Sequence, residues 1–433
     1  GMAGFRMHPY LAVNTANNTM QSASIDENFF SALAQPGIQR LRAYDPGHDL
    51  VSFRRRFEGR HLIELGSNEN PYGPSARAKE AVLATIHDSF RYPDPLGGDL
   101  KRALAVEHGV DPGSILLGNG SHELLMQFAQ VFAGPGVDVV ASQFGFAVYA
   151  IAAQCAGATL HAAPCHPDDH AMPRGHDLDA IAAAITSATR LVYLANPNNP
   201  TGTWYGADAF ASFMRKVPAN VVVVVDEAYA EFVDAPEWAS ALTLQARHPN
   251  LVVTRTFSKA YALAGLRVGF AIAHPGLIAV MERVRESFNV NRAGLAAAKA
   301  ALGDGEHLQW VIARNAEQRA ALASALRSRG LTVFPSQTNF VLAQFSGPGD
   351  NAGVARIEAA LCAIGIVLRP MAGYGLGHCL RITVGNPDEN RRLLAALDLL
   401  LACVARKDSI GSLPRASRSQ AASACPATNR FPT

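Results

Sequence analysis

The sequence has 433 residues, of which 49% are hydrophobic and 17% charged, so it can form two or three domains with large cores and is not intrinsically disordered. Its formal net charge of +2 gives no reason to expect nucleic acid or a membrane surface as a partner, and its aliphatic runs are far shorter than the roughly 20 residues of a spanning helix. The six scattered cysteines indicate free thiols in a reducing cytoplasm, and the first residues lack the pattern of a secretory signal.

The ends of the chain carry little periodic pattern. Residues 1–60 are interpreted as an N-terminal extension, and residues 406–433, rich in Ser, Ala, Arg and Pro, are predicted to form a flexible tail. After the extension, Ile63-Glu64-Leu65 predicts a short strand. A string of turn residues then leads to Ser75, which can cap a helix that continues to Ile86.

Strands and helices alternate through the first two thirds of the chain. The predicted helices cover residues 99–108 and 147–155, and the predicted strands include 138–142, 190–195 and 221–225. Residues 114–124 have the pattern of a strand, a glycine turn and a helix start. This alternation predicts a mostly parallel sheet that is covered on both faces, and ligands bind such sheets outside the carboxyl ends of the strands.

Three of the predicted strand ends carry polar motifs. One strand leads into Asn-Pro-Asn-Asn-Pro-Thr-Gly at 196–202, which is a rigid turn with an exposed amide. The valines at 221–225 lead into Asp-Glu-Ala-Tyr at 226–229, and a carboxylate at the end of a buried strand needs a cation unless it only caps a helix. The third strand, which begins at 252–253, leads into the loop that contains Lys259. The motifs are expected to meet at one edge of the sheet.

The chain beyond Phe288 becomes more helical, over about 293–327, and then forms a smaller α/β unit. Strands are predicted at 331–334, 339–344, 366–369 and 379–384, and helices at 354–362 and 388–403. The segment at 161–176 contains residue types that can bind a metal ion. Its prolines and glycine indicate a surface loop, however, and no pair of its histidines has the i, i+4 spacing of a helical zinc motif with a glutamate between. We therefore predict no metal there; the residues concerned are His161, Cys165, His166, Asp168, His170 and His176.

Lys259 is the candidate nucleophile. A lysine in apolar surroundings has a lowered pKa and can attack a carbonyl carbon. Thr256, Ser258 and Arg267 provide donors for a phosphate dianion beside it. A reactive lysine next to a phosphate site indicates pyridoxal 5′-phosphate, and Asp226 is the candidate acid that keeps the ring nitrogen of this cofactor protonated.

The remaining cofactor contacts are assigned by residue type. Tyr229 and Asn196 are candidates for the ring hydroxyl, and Phe144 is the candidate for the side chain that stacks on the ring. Gly120, Ser121 and His122 lie where a glycine turn begins a helix, and such an N-terminus binds anions. These three residues complete the predicted phosphate site.

The three motifs, with Ser-Lys-Ala and Gly-Leu-Arg-Val-Gly within 258–269, resemble those of fold type I pyridoxal-phosphate aminotransferases. Asn-Glu-Asn-Pro-Tyr-Gly-Pro (68–74), Arg-Tyr-Pro-Asp (91–94) and Cys-Leu-Arg-Ile-Thr-Val-Gly (379–385) are similar to the histidinol-phosphate aminotransferases within that group. The resemblance implies an aspartate aminotransferase-like α/β fold, in which a large three-layer domain (76–309) contains a mostly parallel seven-stranded sheet. A small domain would combine residues 61–75 and 310–405.

The resemblance also implies a homodimer with shared active sites. Tyr92 would reach the cofactor phosphate of the neighbouring subunit, and Arg369 and Arg381 would hold the anionic group of the substrate near Tyr72. Asn196 would contact both cofactor and substrate. The substrates implied are an amino donor and a 2-oxo acid.

Two features leave the substrate open. The stacking position is Phe144 where the family often has tyrosine, and the residues after Arg369 are less polar than in many relatives of the histidine pathway. Transamination of histidinol phosphate with 2-oxoglutarate is the first hypothesis; an aromatic amino acid aminotransferase and a phosphothreonine-type decarboxylase are alternatives. A non-enzymatic regulator would need a DNA-binding module before residue 60, and the first 50 residues contain neither a helix-turn-helix pattern nor a basic face.

Overall fold

The computed structural model describes residues 26–45, 47–58, 61–347 and 349–411. Its α-helices are α1 (Glu27–Leu33), α2 (Pro36–Gln39), α3 (Leu50–Arg56), α4 (Ala76–Thr85), α5 (Gly98–His108), α6 (Ser121–Phe132), α7 (Ala147–Cys155), α8 (Leu178–Ala183), α9 (Ala207–Lys216), α10 (Leu242–Gln245), α11 (Pro275–Met281), α12 (Arg292–Leu302), α13 (Gly305–Ser328), α14 (Asn351–Ala363) and α15 (Pro387–Gly411). Among these described residues, no helix combines the length and the apolar character that crossing a membrane requires.

The strands form a large sheet and two smaller ones. They are β1 (Ile63–Glu64), β2 (Ile115–Gly118), β3 (Asp138–Ser142), β4 (Thr159–Ala163), β5 (Thr189–Ala195), β6 (Val222–Asp226), β7 (Leu251–Thr256), β8 (Gly269–Ile272), β9 (Thr332–Val333), β10 (Phe340–Gln344), β11 (Ile366–Val367), β12 (Arg369–Pro370) and β13 (Cys379–Thr383). The large sheet has seven strands in the order β2-β8-β7-β6-β5-β3-β4. Only β8 runs antiparallel to its neighbours in this sheet, so the predicted mostly parallel seven-stranded sheet is confirmed.

Helices cover both faces of the large sheet, which makes three layers. Alternate residues of a strand point to opposite faces, and β5 shows this directly. Leu191 and Tyr193 pack into one core with residues of α6 and α7, whereas Val192 and Leu194 pack into another with residues of α8 and α9. Strands buried on both faces need apolar residues at every position, which explains the run of valines in β6.

The smaller unit combines chain segments that are far apart in sequence. β1 pairs in parallel with β11, and a four-stranded sheet has the order β12-β13-β10-β9. Ile63 and Leu65 share one core with Leu326 of α13, Leu361 of α14 and Leu397 of α15. The segment around residue 63 therefore belongs with the C-terminal part of the chain, in agreement with a small domain built from two separate segments.

The described part of the N-terminal extension is folded against the rest of the protein. Arg54 forms a two-bond ion pair with Glu64, at 2.9 and 3.0 Å. The Arg369 guanidinium donates a hydrogen bond of 2.6 Å to the carbonyl oxygen of Asp45. Local periodicity did not show this packing because it depends on long-range polar contacts. At the other end, α15 continues to Gly411, and the remainder of the predicted tail lies outside the described residues.

Several elements differ from the sequence prediction. The helical region at 293–327 is two helices, α12 and α13, which separate at the Gly303-Asp304 turn, where Asp304 caps α13. His161 lies in the edge strand β4, not in a loop. β4 was not predicted because its exposed edge position removes the apolar pattern: its first and fourth residues are exposed.

Candidate active site

The ends of strands β5, β6 and β7 border one cavity of about 280 Å³. Most of the residues predicted for the site line it: Ser121, His122, Asp226, Tyr229, Thr256, Ser258, Lys259, Arg267, Arg369 and Arg381. The carboxyl ends of parallel strands meet at one edge of the sheet, and the small unit, which supplies both Arg369 and Arg381, closes the other side. The structure thus brings an amine, a buried carboxylate and three guanidinium groups to one cavity.

Lys259 lies in the loop that follows β7. Its Nζ donates a hydrogen bond of 3.3 Å to the carbonyl oxygen of Ser67 and lies 5.8 Å from the centre of the Tyr229 ring. Burial of the ammonium and then the positive charge of Arg381 lower the pKa of Lys259 to about 8. The lowered pKa makes the neutral, nucleophilic form of this amine more accessible than that of an exposed lysine.

Asp226 is the last residue of β6 and is buried. One carboxylate oxygen accepts a hydrogen bond of 2.8 Å from the Tyr149 hydroxyl, and the other accepts one of 3.2 Å from the backbone N–H of Ala228. Burial raises the pKa of Asp226 to about 6, although the bond from Tyr149 opposes this rise. A cation beside this carboxylate would lower its pKa and would itself be stabilised.

The first turn of α6 forms one end of the cavity. No side chain caps α6, so its first N–H groups are free to bind an anion. Gly120 has a φ of 80°, and a Cβ at this residue would lie 2.5 Å from Nη2 of Arg267. A Cβ on Gly269 would overlap the backbone nitrogen of Ser121. The two glycines therefore allow the backbone and Arg267 to form a close cup beside Thr256 and Ser258.

Two arginines lie at the other end of the cavity, opposite each other in the pairing of β12 with β13. Arg381 donates hydrogen bonds to the side-chain oxygen of Asn199 at 2.7 Å and to the carbonyl oxygen of Gly66 at 2.8 Å. The Arg369 bond to Asp45 also goes to a carbonyl oxygen. Because these acceptors are neutral, both guanidinium charges remain available for an anionic ligand.

Tyr229 is fixed from the side of the small unit. Its hydroxyl accepts a hydrogen bond of 2.9 Å from the Asn68 side-chain amide, and burial raises the pKa of the phenol. Asn68 is held in turn by Thr383 and Asn339 through its backbone N–H and C=O, each at 2.9 Å. Tyr229 therefore stays neutral at physiological pH, and its O–H can donate a hydrogen bond to a bound oxygen.

Two of the sequence assignments need correction. Phe144 packs among Phe334, Leu342 and Met371, and it is Phe146 that lines the cavity. The side chain of Asn196 is occupied by the backbone N–H and C=O of Tyr205, both at 3.1 Å. Asn199 is the amide of the same motif that lines the cavity. In both motifs the relevant residue lies two or three positions further along the chain.

Two predicted tyrosines lie away from the cavity of their own chain. Tyr72 packs edge-on against Trp310, with ring centres 4.9 Å apart, and lines a small separate cleft. Tyr92 is 76% exposed and stacks on Phe288 with ring centres 4.5 Å apart. The proposed contact of Tyr92 with a neighbouring subunit stays a prediction, and Tyr72 is not placed beside the two arginines.

The structure also adds residues that the sequence did not indicate. Tyr149 is held on Asp226 and stacks on Tyr193, with ring centres 4.9 Å apart and planes 6° from parallel. Tyr44, from the N-terminal extension, lines the cavity next to His122. Glu69 also lines it, and burial raises the pKa of this carboxyl. Glu69 lies within the motif at 68–74, although the motif alone assigned it no role, whereas Tyr44 lies outside every motif.

The sequence model of the aminotransferase class I and II family matches residues 60–397. Histidinol-phosphate aminotransferase 2 of Pseudomonas aeruginosa is 45% identical over 378 residues, which cover 86% of this chain and 99% of that protein. Histidinol-phosphate aminotransferase 2 of Ralstonia nicotianae is 47% identical over 84% of this chain and 96% of that protein. The chain belongs to the aminotransferase class I and II family.

A solved structure supports the same assignment. Histidinol-phosphate aminotransferase from Sinorhizobium meliloti, in complex with pyridoxal-5′-phosphate, superposes with a TM-score of 0.77 at 32% identity. The match covers 86% of this chain and 98% of that one. Aspartate aminotransferase from Thermus thermophilus, at 20% identity and a TM-score of 0.72, shows that the fold is aspartate aminotransferase-like.

Proposed function

We propose that this protein is a pyridoxal-phosphate-dependent aminotransferase that transfers an amino group between histidinol phosphate and 2-oxoglutarate in histidine biosynthesis. One observation carries the proposal: Lys259 and Asp226 share a cavity with an anion cup at one end and a pair of arginines at the other. The names of the curated relatives support the choice of substrate. A cytoplasmic location, which the free thiols favour, is part of the proposal.

The residues present fit pyridoxal 5′-phosphate. The cup of Gly120, Ser121, Thr256, Ser258 and Arg267 offers backbone, hydroxyl and guanidinium donors to a phosphate, and glycines keep it open. Asp226 would face the ring nitrogen. Tyr229 and Asn199 would meet the ring hydroxyl, Phe146 would cover the ring, and Lys259 would form the covalent link. When bound, the cofactor supplies a conjugated ring that accepts the electron pair left on the substrate Cα.

Lys259 is the residue that would transfer the proton. Its Nζ, free while the substrate is bound, would take the proton from the substrate Cα and return it to the cofactor carbon that the substrate nitrogen joins to Cα. A pKa of about 8 lies close to the operating pH, which is where one group serves well both as base and as acid. In the ligand-free protein Arg381 is, after burial, the next cause of the lowered pKa of Lys259.

The two arginines explain how one site accepts two substrates. A guanidinium binds a phosphate or a carboxylate through the same pair of parallel hydrogen bonds. Arg381 is buried and fixed by Asn199 and Gly66, so it provides a rigid anion contact. Arg369, held through the backbone of Asp45, provides the second. The phosphate of histidinol phosphate and a carboxylate of 2-oxoglutarate would occupy this region in turn.

We also propose a homodimer with shared active sites. Large apolar side chains are exposed along residues 83–96, including Phe90 at 74% and Leu96 at 60%. Large exposed apolar side chains that lie so close together in sequence favour a protein interface here. Tyr92 lies in the same stretch and would extend from it to the phosphate cup of the partner.

Steady-state kinetics with a panel of substrates test the proposed function. The purified enzyme is assayed with 2-oxoglutarate and, separately, histidinol phosphate, phenylalanine and phosphothreonine as donor, with glutamate formation and carbon dioxide release measured in parallel. We expect the largest kcat/KM for histidinol phosphate, with glutamate as product. A negligible rate with histidinol phosphate would refute the substrate assignment, a larger value for phenylalanine would favour the aromatic aminotransferase, and carbon dioxide without glutamate would show a decarboxylase.

A further inference from the structure

Three side chains of types that can bind a metal ion lie together outside the active-site cavity, between the N-terminal extension and α14. They are His48, Glu358 and Cys362, which we call the His48 cluster. One ligand atom from each lies within 4.8 Å of both others. Cys362 is buried, whereas the other two are partly exposed, so the cluster has a dry side and an opening towards solvent. The cavity that contains Lys259 is lined by none of the three.

The arrangement matches what a small transition-metal ion needs. Glu358 and Cys362 are four residues apart in α14 and therefore project from one face of the helix. Nε2 of His48, which belongs to the N-terminal extension, contacts Oε1 of Glu358 on that face. Sγ of Cys362 lies 3.5 Å from Nε2 and 3.0 Å from Oε1. Each of the three atoms is thus in contact with the other two.

The spacing can be compared with that of a zinc site. With Zn–S of about 2.3 Å and Zn–N or Zn–O of about 2.0 Å, tetrahedral ligand atoms lie roughly 3.3–3.5 Å apart. The separation of sulfur and imidazole nitrogen already has this value. An entering ion needs only to widen the two contacts of Glu358, which is a flexible and partly exposed side chain. The imidazole, thiolate and carboxylate set is typical of Zn²⁺.

We propose that the His48 cluster binds one Zn²⁺ ion through His48, Glu358 and Cys362, with solvent as the fourth ligand. The thiol proton is released to solvent on binding, as in other thiolate sites. Sequence spacing could not indicate this site, because His48 and Glu358 are 310 residues apart. The cysteine pattern, which lacks C-x-x-C, had pointed away from zinc.

The proposed ion would tie the N-terminal extension to the small unit. His48 lies three residues after Asp45, whose carbonyl oxygen binds Arg369, and four residues after Tyr44, which lines the active-site cavity. A metal bond to His48 would therefore fix the segment that positions both contacts. Because a ligand that binds only the folded state stabilises it, zinc should raise the unfolding temperature and reduce proteolysis of the extension.

Binding is measured by titrating the metal-free holoenzyme with zinc chloride in a calorimeter, with and without EDTA. His48→Asn and Cys362→Ser are the test variants. His48→Asn changes a partly exposed side chain, so it tests the site even if Cys362→Ser folds poorly. Cys155→Ser and His170→Asn are matched controls, because Cys155 is a free thiol elsewhere and the His170 ring stacks on His166, where zinc could bind adventitiously.

We expect one high-affinity zinc per chain in the wild type and in both controls, and at least a tenfold weaker affinity in His48→Asn and Cys362→Ser. X-ray absorption at the zinc edge should show a single sulfur ligand together with nitrogen or oxygen ligands. Equal zinc affinity in His48→Asn and the wild type would overturn the proposal, as would loss of binding in His170→Asn or a spectrum without sulfur. No stoichiometric binding to the wild type would show that the cluster is only a hydrogen-bonded contact.

Discussion

The hydroxyl of Tyr149, in α7, donates a hydrogen bond of 2.8 Å to the carboxylate of Asp226 at the end of β6. The two residues are 77 positions apart and meet because the first turn of α7, which follows β3, lies at the same carboxyl edge of the sheet where β6 ends. The bond lowers the pKa of a carboxyl that burial otherwise raises. Tyr149 is thus a positioning residue that helps to keep Asp226 ionised and correctly oriented.

Replacing Tyr149 with phenylalanine should impair function without disrupting the fold. The ring can still stack on Tyr193, but Asp226 loses a hydrogen bond that is worth about 1.5–3 kcal/mol when one partner is charged. We expect kcat/KM to fall roughly 10- to 100-fold and the dissociation constant for pyridoxal phosphate to rise. Tyr193→Phe is the control, because the Tyr193 hydroxyl bonds to the backbone of Leu125 and not to Asp226. Wild-type kinetics in Tyr149→Phe would contradict the assigned role.

We expect Asp226→Asn to stabilise the cofactor-free protein and to lower the activity of the holoenzyme. Because burial raises the pKa of Asp226 from 3.8 to about 6, the ionised side chain destabilises the cofactor-free protein above that pH. The favourable contribution of the protonated form is complete below about pH 4 and is lost as the pH rises through 6. At 1.36 kcal/mol for each pH unit between the two pKa values, this contribution is on the order of 3 kcal/mol.

We therefore expect cofactor-free Asp226→Asn to unfold at higher urea concentration than the wild type at pH 8, with little difference near pH 4. Activity of the holoenzyme should fall at least 100-fold, because an amide cannot stabilise a protonated ring nitrogen. Urea unfolding curves at several pH values measure the first effect. A variant less stable than the wild type at pH 8 would show that Asp226 is not under strain from its burial.

The two asparagines of the turn at 196–202 should behave differently. Asn199→Ala removes an acceptor of Arg381 and an amide from the cavity, so kcat/KM should fall roughly 10- to 100-fold with little change in stability. Asn196→Ala removes two bonds to the backbone of Tyr205 and should cost about 1–3 kcal/mol of unfolding free energy. Kinetics and urea unfolding of both variants test the assignment. It fails if Asn196→Ala, correctly folded, loses more activity than Asn199→Ala.

The sequence was sufficient to locate the site residues that lie at or just after the end of a strand. Asp226 and Lys259 could be located because β6 and β7 have continuous β-branched patterns, and parallel strands place their carboxyl ends together. Choosing between Asn196 and Asn199, or between Phe144 and Phe146, requires the path of a turn, which local pattern does not determine. The two candidates in each pair are only two or three residues apart in sequence.

Other parts of the site depend on contacts across the whole chain. The hydrogen bond of Tyr149 to Asp226 joins residues 77 positions apart and is visible only in the folded chain. Tyr44 reaches the cavity because the extension is fixed by polar contacts with Arg369 and Glu64, and such contacts leave no periodic signature. The order of β8, which inserts between β2 and β7, likewise depends on packing that hydrophobic periodicity does not encode.

Mixed dimers test whether Tyr92 acts on the partner subunit. Lys259→Ala and Tyr92→Ala homodimers should each have little activity. A hybrid dimer would contain one site with both Lys259 and Tyr92 intact if Tyr92 acts across the interface. We expect activity to reappear when the two variants are unfolded together and refolded, and to approach one quarter of the wild type for random pairing. No recovery, with hybrid formation verified by mass spectrometry, would mean that Tyr92 serves its own subunit or none.

The covalent attachment site of the cofactor tests the central claim most directly. The holoenzyme is treated with sodium borohydride, which fixes pyridoxal phosphate to the amine that holds it, and is then digested and analysed by mass spectrometry. The account predicts that the added mass is found on Lys259 and that Lys259→Ala acquires none. Stoichiometric labelling of a different lysine, or labelled Lys259→Ala, would contradict it.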